Sequence, residues 1–301
     1  MVSGILNINK PSGISSFQVV ANVRRLTRNR KVGHGGTLDP AAVGVLPVFL
    51  NHATRLVEYF MHTSKTYCAR IVLGATTDTY DTEGKVLTTA DPSGVTREQV
   101  ELALNSFRGE IEQIPPMHSA LKRQGQRLYI LARAGVEVER SPRLVKIYDI
   151  QLLDWQPPAV VIQVECGKGT YMRSIAQELG RLLGCGAYQD RLVRVQDGPF
   201  DIEDSLTLEE LELACEHGYW SDLVFPMDEV LLNWQAVILG RAGQKALLEG
   251  QALTLKPVRR PGPPPNGSPF CRVYSGEGDL VAVARLDPYT GLCQPQKVLY
   301  P

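Results

Sequence analysis

Gly33-His34-Gly35-Gly36-Thr37-Leu38-Asp39-Pro40-Ala41-Ala42-Val43-Gly44-Val45-Leu46 holds one acidic residue, Asp39, in a run of small and apolar side chains. Three glycines precede it, Pro40 follows, and residues 22–31 carry five basic groups (Arg24, Arg25, Arg28, Arg30, Lys31) and no acid. Glycine permits φ > 0 and close approach of a ligand, while proline stops a helix or a strand ladder. A solitary carboxylate on such a loop, beside concentrated positive charge, is a candidate reactive group facing a polyanion. A polar Asp-Pro turn is the plain structural alternative.

On either side of the loop the pattern mixes strands and helices. Residues 5–9 alternate like a strand and are broken by Lys10-Pro11-Ser12-Gly13. Ser15 and Gln18 form a capping box, and Val19, Val23 and Leu26 follow at helical spacing. Residues 65–73 place Tyr67, Ala69, Ile71 and Leu73 on one face and Thr66, Cys68, Arg70 and Val72 on the other, and the polar turn 77–84 closes that strand. Thr96 with Gln99 starts a helix ending before Gly109, and the spacing predicts another over 126–134, stopped by Gly135. Strands are predicted at 143–154 and 159–166, a helix carries Ile175, Leu179 and Leu182 up to Gly184, and Thr207 with Glu210 boxes a helix ending at Gly218. Without regular βαβ alternation the class is α+β. Beyond about residue 230 come a short helix at 240–249, residues 253–255 and strands at 271–274 and 280–286, a compact β-rich tail interrupted by a proline-rich loop at 257–269.

Composition narrows the class. A chain of 301 residues, 44% hydrophobic and 21% charged, is that of an ordinary globular protein, and its net charge of zero gives no bulk attraction to nucleic acid. The charge is unevenly placed. Residues 119–146 carry seven basic groups against Glu137 and Glu139, while 201–216 hold seven acids and no base. Local basic faces on a neutral chain suit local phosphate contacts, although salt-bridged surface explains charge runs equally well. Six scattered cysteines without Cys-x-x-Cys and five dispersed histidines define no metal site. No apolar h-region follows the first residues, and the longest uncharged stretch, about 41–54, is too short to cross a bilayer. The expectation is a cytoplasmic protein without membrane contact.

The loop resembles the catalytic loop of the TruB family of tRNA pseudouridine synthases, whose usual form is Gly-His-Thr-Gly-Thr-Leu-Asp-Pro followed by a small, apolar stretch. It departs at Gly35 and Val43, where threonine is common. Further matches are Ser64-Lys65-Thr66-Tyr67, Gly169-Thr170-Tyr171-Met172-Arg173-Ser174, the Lys10-Pro11 turn, and the segment from Pro115 to Lys122 continuing through Arg127 and Tyr129. Together they span residues 4–200. The resemblance implies a pseudouridine synthase fold: a central mixed, largely antiparallel sheet flanked by helices, over residues 1–230, with a thumb-like insertion at about 112–142. Residues 231–301 resemble a small PUA-like RNA-binding domain.

It also implies roles. Asp39 is the catalytic carboxylate, Tyr67 stacks on the uracil, and Arg173 pairs with the carboxylate and fixes its orientation. Tyr171 lines the uridine pocket, Leu192 closes it from below, and His34 occupies the space a flipped-out base vacates. The implied substrate is the T-loop uridine conventionally numbered 55, read through the T arm of tRNA without a guide RNA, by a monomer. The isomerisation breaks and remakes a bond at C1′ with nothing oxidised or added, so no cofactor or metal is expected. One carboxylate suffices because no water is activated, unlike the two that glycosidases use. Without the resemblance, Tyr67 reads as a core aromatic, Arg173 as a surface group and His34 as a loop hydrogen bonder. Two other readings remain: a tRNA-binding or tRNA-folding protein on the same fold that no longer catalyses, and a guide-dependent synthase.

Overall fold

Where a strand is buried on both faces, its two sides feed two different cores. In the first strand Leu6 and Ile8 belong to one apolar cluster and Ile5 to another. The computed structural model describes residues 2–117, 122–123, 126–127, 136, 138–255 and 268–299. In chain order the strands of the larger part are β1 (Gly4–Lys10), β2 (Val32–His34), β3 (Val43–Leu50), β4 (Lys65–Leu73), β5 (Ala75–Thr77), β6 (Val86–Thr89), β7 (Gly109–Gln113), β8 (Lys122–Arg123), β9 (Gln126–Arg127), β10 (Arg143–Gln156), β11 (Ala159–Cys166), β12 (Ala187–Asp197) and β13 (Phe200–Asp201). The helices are α1 (Ser16–Thr27), α2 (Val57–Phe60), α3 (Arg97–Asn105), α4 (Met172–Leu182) and α5 (Leu208–His217).

The main sheet runs β1-β3-β12-β4-β11-β10-β7, with β2 added to β3 and β13 to β12. Every pairing is antiparallel except that of β12 with β3, where Val193 and Arg194 lie opposite Val43 and Gly44. The mixed, largely antiparallel sheet of an α+β protein is therefore present. Val19 and Val23 of α1, Val100 and Leu104 of α3, Ile175 and Leu179 of α4 and Leu211 of α5 join Leu6, Ile8, Ala69 and Ile71 in one cluster, so the helices cover one face. The reciprocal capping boxes at Ser15–Gln18, Thr96–Gln99 and Thr207–Glu210 are all formed.

The other face is closed by the tail. Strands β14 (Gln235–Ile238), β15 (Leu253–Thr254), β16 (Phe270–Tyr274), β17 (Leu280–Leu286) and β18 (Leu292–Val298) form a second sheet in the order β14-β16-β17-β18-β15, beside helix α6 (Arg241–Leu248). Leu280, Val283 and Leu299 pack with Ile5, Val45, Phe49 and Phe200. Tyr59, Trp234 and Phe270 stack edge and face at the same seam, with ring centroids 5.2–5.5 Å apart.

Strand β3 was not assigned because it is buried on both faces and so shows no alternation. Strand β12 is interrupted by bulges between Gln189 and Arg191 and between Arg194 and Gln196, which erase its period-2 signal. The helix expected from Gln126 does not begin there, since Gln126 and Arg127 pair with Arg123 and Lys122 in a short hairpin; residues 128–135 lie outside the described residues. So does the proline-rich stretch through residue 267.

Gly44 locks β3 to β12. Its φ is +102°, and a Cβ there would stand 2.3 Å from the Arg194 carbonyl oxygen. The Gly44→Ala change combines left-handed strain with a backbone clash and is expected to cost about 2–4 kcal/mol. A lowered urea midpoint at unchanged m-value would show it.

Candidate active site

The segment carrying Asp39 joins β2 to β3 and is fastened from below through its backbone. Lys10, the last residue of β1, is fully buried and donates from Nζ to the carbonyls of Pro11 (2.8 Å), Pro40 (3.0 Å) and Ala42 (2.6 Å). Ser16, at the start of α1, donates from Oγ to the Leu38 carbonyl and accepts from the Leu38 amide. The Gly13 amide donates to the Pro40 carbonyl and the Ala42 amide to that of Asp39. With its backbone held, Asp39 leaves its side chain 44% exposed. A Cβ at Gly35 would lie 2.4 Å from the Phe60 ring, so Phe60 fills the space of the threonine usual there. Burial lowers the Lys10 ammonium to about 8, against the opposing pull of Asp39.

Above the loop, Arg173 lies in the first turn of α4 with its side chain only 5% exposed, and it meets two carboxylates. Its Nη2 is 2.8 Å from Asp39 Oδ2, and its Nη1 is 3.3 Å from Asp81 Oδ2. Asp81 arrives from the polar turn after β5. Its Oδ1 accepts from the Thr79 hydroxyl and the Glu83 amide, which leaves Oδ2 aimed at the guanidinium. The positive end of α4 favours the same two acids. Tyr171 caps this helix, and its backbone is clamped by Gln113, which accepts from the Tyr171 amide (2.7 Å) and donates to its carbonyl (3.0 Å).

A second ionic group lies on the floor. Arg194 of β12 is 1% exposed. It donates from Nε to the Val45 carbonyl (2.7 Å) and from Nη2 to the Gly36 carbonyl (3.2 Å), so it spans both ends of the Asp39 loop. Directly opposite on β4 sits Tyr67, whose phenol lies within electrostatic reach of this guanidinium. Burial pushes the Tyr67 phenol up to about 12, so it stays protonated near neutral pH. Fully buried Asp197 lies 3.5 Å from Arg194 Nη1 and 3.0 Å from Lys65 Nζ. Leu192, two residues before Arg194, is buried against Ala69 in the strand register. His34 is half-buried on β2; burial first, then Arg194, hold its imidazole below the usual value, and its Nδ1 has no partner among the described residues.

Asp39, Arg173 and Asp81 thus form one ionic chain, and Tyr67, Leu192 and His34 gather around Arg194, which grips the same loop. Tyr171 stands two residues before Arg173. Among the described residues no three His, Cys, Asp or Glu side chains are grouped to hold a metal ion.

Two family models match consecutive stretches that meet inside α4. Residues 24–172 match the TruB family pseudouridylate synthase N-terminal domain, and residues 173–232 the tRNA pseudouridylate synthase B C-terminal domain. The chain belongs to the TruB family. It is 46% identical over 298 residues to the tRNA pseudouridine synthase B of Dehalococcoides mccartyi (strain CBDB1), covering 99% of this chain and 96% of that protein. It is 42% identical to that of Pseudomonas aeruginosa (strain UCBPP-PA14) over 95% of this chain and 92% of the relative. Among solved structures, a Cbf5-Nop10-Gar1 complex superimposes with a TM-score of 0.74 at 26% identity, over 99% of this chain and 85% of the matched one. This TruB chain is therefore an isomerase with the pseudouridine synthase fold.

Sequence reasoning missed Asp81, Lys65, Arg194 and Asp197, and gave Lys10 only a turn. Two of these left a signal. Lys65 shares the face of Tyr67 and Ala69, and Arg194 follows Leu192 at period 2, so both put a charge at a core-facing position. Asp81 left none, because a turn acid looks alike whether or not it meets an arginine.

Removing Lys10 takes its ammonium from the carbonyls of Pro11 and Ala42 and leaves that of Pro40 with the Gly13 amide. Lys10→Met is expected to lower stability by about 2 kcal/mol, read as a reduced Tm. Asp81→Asn is expected to slow the chemical step about tenfold or more, with RNA affinity kept, as single-turnover rates and filter binding would report.

Proposed function

We propose that the chain converts uridine to pseudouridine in the T loop of tRNA, at the residue conventionally numbered 55, acting without a guide RNA and with Asp39 as its catalytic carboxylate. The observation that carries the reading is the Asp39 side chain itself, 44% exposed on an immobilised loop and gripped by an Arg173 that is 5% exposed. Such an acid is oriented from behind and open in front.

The reaction separates N1 of the uracil from C1′ of its ribose, turns the base, and joins C5 to C1′; the C5 proton is released and N1 gains one, so the product is an isomer. Asp39 acts at the sugar, by adding to C1′ or by taking the proton from C2′, and either route uses one carboxylate. Arg173 fixes its direction, and Asp81 balances the guanidinium. Tyr67 stacks on the extruded uracil, Tyr171 and Leu192 bound the pocket, and His34 fills the gap the base leaves in the RNA. At a phenol value near 12, Tyr67 donates rather than abstracts a proton.

Residues 1–230 form the catalytic domain, with the basic insertion at 112–142 closing on the T arm, and residues 231–301 serve as a PUA-like RNA-binding domain. Support for tRNA is that relatives matched over nearly their whole length are named tRNA pseudouridine synthase B. Solved structures of like fold include complexes of Cbf5 with Nop10 and Gar1, so action that needs partner proteins, and a guide RNA, is the alternative to test. The chain is proposed to act as a monomer in the cytoplasm. None of the described helices is long and apolar enough to cross a membrane.

Tritium release from a tRNA transcript labelled at uridine C5 tests the reading. The purified chain alone is expected to release tritium from the T-loop uridine, and Asp39→Asn to release none while still binding tRNA. Turnover by the variant would remove Asp39 from the chemistry. Binding without turnover by the parent chain would favour an RNA-folding role, and turnover only after a guide RNA and partner proteins are added would favour the guided alternative.

A further inference from the structure

The floor of the pocket holds one more positive charge than its single acid can balance. Lys65 and Asp197 are cross-strand partners, and two residues along β4 Tyr67 is the partner of Arg194. The four side chains therefore form one compact block on adjacent strands. Asp197 is wholly buried and stands between two cations, Lys65 Nζ at 3.0 Å and Arg194 Nη1 at 3.5 Å. Among the described residues neither cation has another carboxylate within ion-pair distance. Burial pushes Asp197 up and the two cations pull it back down, which leaves the block with an excess of one positive charge when the acid is ionised.

Among the described residues no group in ion-pair contact with this block supplies the missing negative charge: the spare acid of the Asp39–Arg173–Asp81 chain is balanced by buried Lys10, which Asp39 attracts. The Tyr67 phenol, held near 12, is neutral, and the Cys166 thiol beside it is pushed up to about 11 by burial and stays a thiol. Lys65 spends its remaining donors on the Thr63 carbonyl (2.8 Å) and hydroxyl (3.1 Å), both uncharged, and stands over the Phe60 ring at 5.3 Å. An uncompensated buried cation is costly, and a fold keeps one most readily where an anion arrives during function. In an active site that anion forms in the transition state.

We propose that Lys65, through Asp197, Arg194 and the Tyr67 hydroxyl, stabilises the uracil anion that forms when the N1–C1′ bond breaks. This rests on the reading of the site as a uridine isomerase with Tyr67 against the base. In that cleavage the bonding pair leaves with N1, and the negative charge spreads over N1, O2 and O4 of the uracil. The sugar is completed by an Asp39 oxygen at C1′, or by loss of the C2′ proton to Asp39; the base departs as an anion either way. The charge is cancelled when C5 bonds to C1′ as the Asp39 oxygen leaves that carbon, or as Asp39 returns its proton to C2′; the C5 proton is then lost and N1 gains one. Lys65 does not touch the base. It is a positioning residue that acts by holding a net positive charge under Tyr67, while Arg194 fixes where that charge sits.

Leaving-group acidity separates this role from a packing role. Fluorine at C5 makes uracil a better-stabilised anion, so a 5-fluorouridine T-arm transcript needs less help from the enzyme. Single-turnover cleavage of the nucleoside bond is to be followed for the full chain and for Lys65→Met on both transcripts, with Tm and transcript affinity measured alongside. The expected result is a loss of about tenfold or more on uridine, a clearly smaller loss on 5-fluorouridine, unchanged affinity, and partial rescue by Lys65→Arg. Equal losses on the two transcripts, or no loss, would overturn the proposal. If Lys65→Met does not fold, Lys65→Gln, whose amide can still donate to Thr63, is read by the same comparison. A parent chain that forms no pseudouridine would instead sink the isomerase reading, and this inference with it.

Discussion

Arg173 is a nearly buried guanidinium stretched between two carboxylates that come from distant parts of the chain, Asp39 on the β2–β3 loop and Asp81 on the turn after β5. A lone charge removed from water is expensive, so the arginine is tolerable in the interior only with its partners in place. The planar fork of arginine suits this task, since it can address two acids from two nitrogens at once. The arrangement makes the three segments mutually dependent. Moving the loop strands the arginine, and moving the turn turns the arginine away from Asp39.

The rest of the fold serves that contact by fixing backbone rather than side chain. Lys10 and Ser16 hold the loop from the β1–α1 side, Arg194 holds both its ends from β12, and Gly44 lets β3 approach β12 closely enough for this. The Asp39 carboxylate is thereby carried on a loop that behaves like part of the sheet. The tail sheet packs on the opposite face through Phe49, Phe200, Trp234 and Phe270, away from the helices. Rigid support on one side and an open acid on the other is the geometry an enzyme needs when its substrate must be turned over in place.

Local signals carried most of the secondary structure. The capping boxes at Ser15, Thr96 and Thr207 are confined to four residues each and are visible in any alignment-free reading. The alternation of 65–73 corresponds to β4 residue for residue. Less legible were elements whose pattern depends on partners far away, among them β3, buried on both faces, and β12, bent by two bulges. In the site, the motif residues Asp39, Tyr67 and Arg173 stood out through resemblance, not through periodicity. Their supporting charges did not, because whether Asp81 or Asp197 is solvated or buried against a cation is a property of tertiary contact, which spacing alone does not encode.

A double-mutant cycle on Arg173 and Asp81 tests most directly whether the guanidinium works as a shared bridge. Single-turnover isomerisation of a labelled T-arm transcript would be compared for the parent chain, Arg173→Met, Asp81→Asn and the double variant. The account holds that Asp81 acts only by aiming Arg173, so the double variant should be no slower than Arg173→Met alone. Losses that multiply independently would contradict it.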